Sequence, residues 1–151
     1  MNRKLLILGG VGVVLVGLLV MSRVMESAPA PLWKGTTISC LVNGHQNLAQ
    51  HIHQELSITK DGVAVPIPSN IGITQGCMAE VHTHEADGTI HVESIEPKTF
   101  TLQDFFAVYG QPLEQEGYAL VARSNGEIVE DPASLVLVDH QTIELEYTSA
   151  E

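Results

Sequence analysis

The segment Leu5–Ser22, LLILGGVGVVLVGLLVMS, runs for 18 residues without a charge. A helix crossing a bilayer needs about 20 apolar residues, with about 17 as the lower bound. Gly9, Gly10, Gly12 and Gly17 would weaken a soluble helix but are tolerated in a membrane one. Arg3 and Lys4 precede the run and Arg23 follows it, a bias that favours a cytoplasmic N-terminus. A buried soluble helix fits poorly with such a run. The competing reading is a cleaved signal peptide, since Ala28-Pro29-Ala30 resembles a small-residue cleavage site, although Pro31 would hinder the peptidase. Both readings export the remainder. The expectation is a single-pass anchor and linker over 1–32 and an extracytoplasmic domain over 33–151, periplasmic or at the cell surface.

The charge balance narrows the partners of that domain. Of seven basic residues, three lie in the N-terminal segment, whereas all 18 acidic residues follow it. Such a body repels phosphate backbones, which argues against nucleic acid, and attracts cations and basic partners. The roughly 120 residues after the linker suffice for a hydrophobic core of their own. Two cysteines, Cys40 and Cys77, are expected to form a disulfide in an oxidising compartment. A pair of thiolate metal ligands is the alternative, weakened by the absence of a CxxC motif.

The pattern after Trp33 is mostly strand-like. Ile52, Leu56 and Ile58 alternate with His51, His53, Glu55 and Ser57, interrupted only by Gln54. Lys60-Asp61-Gly62 supplies a hairpin turn into Val63-Ala64-Val65, and Pro66 and Pro68 then end regular pairing. A second hairpin is expected from Ala79–His84 through Glu85-Ala86-Asp87-Gly88 to Thr89–Ser94. Thr101, Leu102, Phe105, Phe106 and Tyr109 read as a capped amphipathic helix ending at Gly110. Tyr118–Arg123, a Ser124-Asn125-Gly126 turn, Glu127–Val129, Leu135–Val138 and Thr142–Tyr147 complete the chain. The fold class is therefore mainly β (α+β): a small antiparallel β-rich domain with one helix, preceded by a transmembrane helix.

Seven histidines occur in the chain, five of them in His51-Ile52-His53, His82-Thr83-His84 and His91. Side chains two apart on a strand share a face, so each HxH projects its imidazoles together. A four-residue loop in the second hairpin pairs position 82 with 91, and a two-residue turn pairs 84 with 91. Either register puts His82, His84, His91 and Glu93 on one face and Val81, Thr83, Ile90 and Val92 on the other. His51, His53 and Glu55 must oppose the apolar face of the first strand. If the two hairpins are sheet neighbours, five imidazoles and up to two carboxylates converge. That donor set suits zinc or copper, with Glu93 as ligand or as a partner that orients an imidazole. An exposed polar face is the plain alternative. His45 and His140 lie in loop-like stretches and receive no role. Met78, a possible soft copper ligand, reads better as a packing residue.

Gly76, five residues and His82-Thr83-His84 match the opening of a cupin metal motif, but Gly88 and Thr89 occupy the positions where its glutamate belongs. No HExxH and no serine or cysteine nucleophile signature is present. His51-Ile52-His53, Asp61-Gly62, Ile67-Pro68, Ile71-Gly72-Ile73, Cys77, His82-Thr83-His84-Glu85, Gly88–Ser94 and Phe100-Thr101-Leu102 before Phe105-Phe106 together resemble another group. It is a family of uncharacterised, membrane-anchored prokaryotic proteins with an HTHD–SGIIHxES-type signature. Glu85 stands where that family usually has aspartate, and Gln103 where it usually has glycine. The resemblance implies one integral unit rather than a chemistry. The sequence points first to a membrane-tethered metal-binding domain using His51, His53, His82, His84, His91 and Glu93. Second comes an envelope protein-interaction module with a polar or pH-sensitive histidine face, and third a metal-dependent enzyme.

Overall fold

The long first strand, β1 (Gln50–Lys60), organises the domain because both of its edges are paired. In the computed structural model, residues 33, 35–41 and 44–150 are described. The expected membrane helix and its linker lie outside them. Along β1 the side chains of Leu56 and Ile58 are buried while Glu55 and Ser57 are exposed. Gln54, which seemed to break the apolar alternation, keeps to it: the residue is buried, and its amide nitrogen donates to the Val138 carbonyl at 3.1 Å.

β2 (Val63–Ala64) returns from β1 through Asp61 and Gly62. Their φ values of 49° and 79° are the two left-handed conformations that a type I′ turn requires. The Asp61 carboxylate then accepts from the backbone N–H and hydroxyl of Ser149 at 2.8 and 2.7 Å, tying this turn to the chain's last strand. β3 (Ile73–Thr74) and β4 (Cys77–Met78) form a separate small hairpin, and Cys77 is disulfide-bonded to Cys40. β5 (Val81–His82) and β6 (Thr89–Ser94) make the second large hairpin. Only two residues of its expected first strand, Ala79–His84, are regular.

Helix α1 (Leu102–Tyr109) starts at a reciprocal cap: the Asp104 N–H donates to the Thr101 hydroxyl, and the Thr101 N–H donates to the Asp104 carboxylate. It ends at Gly110 in the left-handed conformation, φ 73°. β7 (Tyr118–Ser124), β8 (Glu127–Val129) and β9 (Gln141–Ser149) complete the sheet, with a 3₁₀ turn at Pro132–Ser134. The strand expected over Leu135–Val138 is absent. That stretch is reduced to a single antiparallel bridge, Val136 to Thr101, with the Leu102 N–H donating to Leu135 O and the Leu137 N–H to Phe100 O.

The sheet order is β5-β6-β1-β9-β7-β8. It is not purely antiparallel: β1 and β9 run parallel, from Gln54↔Gln141 to Lys60↔Tyr147. Leu56, Ile58, Val81, Ile90, Val92, Ile143, Leu145 and Tyr147 from the strands and Leu102, Phe105 and Phe106 from α1 belong to one buried core. The core thus takes one face of β5, β6 and β1. Strand alternation sends their remaining side chains to the opposite face.

Candidate metal centre

That opposite face carries the histidines. The ladders pair His82 with His91 and His91 with His53, making one row of three imidazoles across β5, β6 and β1. In the next row His51 faces Glu93, and on the other side Glu55 faces Thr89. The second hairpin has taken the register of a four-residue loop. The two hairpins are neighbours, which brings the five imidazoles and Glu93 into two overlapping groups but leaves Glu55 out.

His82 is fully buried, and its Nδ1 donates to the Ala79 carbonyl at 2.8 Å. A carbonyl only accepts, so Nε2 of His82 keeps its lone pair. This Nε2 lies 3.0 Å from His84 Nε2. The ring of His91 stands 4.7 Å from that of His84 and 5.4 Å from that of His82, centroid to centroid. One ligand atom from each of His82, His84, His91 and Glu93 lies within 4.8 Å of all the others. A second set, His51, His53 and His91, meets the same condition. Glu55 is exposed and belongs to neither set.

Burial holds two of these imidazoles neutral. His82 is pushed down to about 3, chiefly by desolvation, with His84, His91 and His45 adding to the effect and the Ala79 carbonyl opposing it. His91 falls to about 4, again through desolvation first, then through His53 and His84, while Glu93 pulls the other way. Neutral imidazole is the form that binds a metal. The Nδ1 atom of His91 is buried without any hydrogen-bond partner. Buried polar atoms are rarely left so, and an orphan asks for an explanation.

Glu93 is wholly buried. Its carboxylate accepts from His45 Nδ1 at 2.8 and 3.0 Å, and His51 Nε2 lies 3.0 Å from its Oε1. His45, assigned no role from its loop-like sequence context, therefore stands beside the cluster. It arrives on the turn at 44–47, just after Cys40 and Leu41. Those two residues are fixed beside β4 by the disulfide and by the Leu41 N–H donating to Met78 O at 2.7 Å. His140 stays out: it is exposed, and its ring contacts Asp139 at 3.3 Å.

Zinc–nitrogen bonds are 2.0–2.1 Å, so tetrahedral ligands stand about 3.3 Å apart. The His82–His84 separation of 3.0 Å needs only a few tenths of an ångström to open to that value. The group as a whole could hold a metal ion.

No protein-family model, no curated protein and no solved structure matches the chain.

Proposed function

We propose that the chain is a membrane-tethered, extracytoplasmic protein that binds zinc or copper through His82, His84, His91 and Glu93. The observation that carries the reading is the convergence of one ligand atom each from His82, His84, His91 and Glu93 within 4.8 Å, with the buried Nδ1 of the His91 ring left without a hydrogen-bond partner. A cation supplies what that atom lacks. Three imidazoles and one carboxylate are a donor set common to zinc and to copper. The hydrogen bond from His82 to Ala79 O fixes its tautomer as ligand-orienting partners do. A merely polar face would leave its imidazoles in water, whereas His82 and Glu93 are fully buried.

The apolar run at 5–22 and the resemblance to membrane-anchored prokaryotic proteins support the tether. The Cys40–Cys77 disulfide supports an oxidising compartment.

Metal analysis of the untagged full-length chain in detergent tests the proposal. The expected result is bound zinc or copper that EDTA removes, with His82→Ala plus His84→Ala losing it. A chain that takes up neither metal, and whose melting temperature neither metal raises, would refute it.

A further inference from the structure

We infer that the histidine face holds two ions, not one, and that His91 is shared between them. The inference rests on the metal-binding reading and extends it. Six candidate ligands fall into two sets rather than one, and the sets meet only at His91. The ladder explains why: His91 stands mid-row, with His82 on one flank and His53 on the other. An ion among His82, His84 and Glu93 therefore sits to one side of its ring. An ion between His51 and His53 sits to the other.

The two positions differ in character. The inner one includes fully buried His82 and Glu93 and offers four protein ligands, a closed set. The outer one has three imidazoles, and the His51 side chain is 45% exposed. Three protein ligands beside solvent leave a coordination position for water or another small donor. His51 Nε2 also lies 3.0 Å from Glu93 Oε1, which puts the outer set beside the inner one. Glu93 then touches both positions, as a ligand to one ion and as the partner of a ligand to the other. An imidazole has two nitrogens, and each can serve one ion. The first ion takes the free lone pair of His91. The second takes the other nitrogen as its proton leaves for solvent. Two ions across one ring stand roughly 6 Å apart, given bonds of about 2 Å at each end.

Copper(II) reads both stoichiometry and sharing. The untagged full-length chain in detergent, stripped with EDTA, is titrated while bound copper and the integrated electron paramagnetic resonance signal are followed. Two equivalents are expected to bind. The first gives an isolated copper(II) signal, and the second reduces that signal instead of doubling it, because a bridging ring couples the spins. His51→Gln with His53→Gln is expected to bind one equivalent and keep the isolated signal. Wild-type uptake of a single equivalent would overturn the two-ion inference and leave the metal-binding reading standing. Two equivalents with simply additive signals would overturn the sharing of His91. No uptake at all would overturn both readings, and none of these wild-type outcomes depends on a variant folding.

Discussion

His45 Nδ1 donates to Glu93 Oε2 across 2.8 Å, joining a surface turn to a buried strand position 48 residues later. With His51 on the neighbouring oxygen, the only carboxylate in the two ligand sets is held from two sides. A carboxylate fixed in this way meets a cation already oriented, so the entropy of ordering it is not charged to binding.

Removing one of those holds should loosen the ion without evicting it. Partners that orient metal ligands typically contribute about 10–100-fold in affinity. His45→Ala is expected to weaken zinc or copper binding by about that factor with no change in the number of ions bound. Competition against a chromophoric chelator measures it. An unchanged affinity would remove His45 from the centre.

Gly88 holds the loop between β5 and β6 close against β1. Its φ of +88° is unfavourable for any residue with a Cβ, and a Cβ there would run into the Leu56 carbonyl oxygen. The Leu56 N–H also donates to Gly88 O at 2.9 Å, which docks the loop between β5 and β6 onto β1. Gly88→Ala should therefore cost more than the ~1 kcal/mol of a strained backbone alone, and it should lower metal affinity by displacing His84 and His91. Gly126→Ala is the control. Its φ is +84° with no heavy atom near a built Cβ, so it carries the strain without the clash. Urea unfolding and metal titration of the two variants should separate. Equal losses would show that the approach to Leu56 is immaterial.

The parts of this architecture legible in the sequence are those set by local chemistry. Asp61-Gly62 and Asn125-Gly126 turn the chain where left-handed residues are needed, and Thr101 and Gly110 bound the helix. The HxH pairs share a face because strand side chains alternate, a rule that also placed His91 and Glu93 beside them. Closure of the sheet was not legible. β1 and β9 pair in parallel across most of the chain, and their matching apolar faces fit either direction equally well. Leu135–Val138 is apolar enough for a strand, but its backbone is taken by Phe100 and Leu102. His45 sits in a turn with no periodicity to read. The one signal that pointed to it was its position five residues after a cysteine whose partner, Cys77, lies five residues before His82.

The buried imidazoles make the metal-free protein acid-sensitive. His82 and His91 titrate near 3 and 4 when folded, against 6.5 for an ordinary histidine. Between those values the unfolded chain binds more protons than the folded one, so stability rises with pH. It is fully present above about 6.5 and drains away as pH falls toward 4 and then 3. One fully coupled proton is worth about 1.4 kcal/mol per pH unit, and partly exposed His91 should contribute less than buried His82. Urea midpoints of EDTA-treated protein at pH 7 and pH 5 test this. His82→Gln should flatten the slope, and an equal slope in that variant would assign the acid sensitivity elsewhere.

The disulfide should matter more to stability than to binding. Cys40–Cys77, with Cα atoms 5.1 Å apart, closes a separation of 37 residues. In the chain-entropy account that constraint is worth ~3–4 kcal/mol, acting mainly on the unfolded state. In the folded state the same segment has other holds. The Leu41 N–H donates to Met78 O, the Glu80 N–H to Ser39 O, and the Ser39 N–H to the Glu80 carboxylate. Cys40→Ser with Cys77→Ser should therefore lower the melting temperature clearly while leaving the turn at 44–47 close to the histidine face. His82, His84, His91 and Glu93 all stand on the β5–β6 hairpin rather than on that turn. The double variant's loss of metal affinity should accordingly not exceed the loss from His45→Ala, since the most it can remove is what the turn contributes. A folded double variant that bound no metal would contradict this, because it would mean that the staple positions the hairpin ligands themselves.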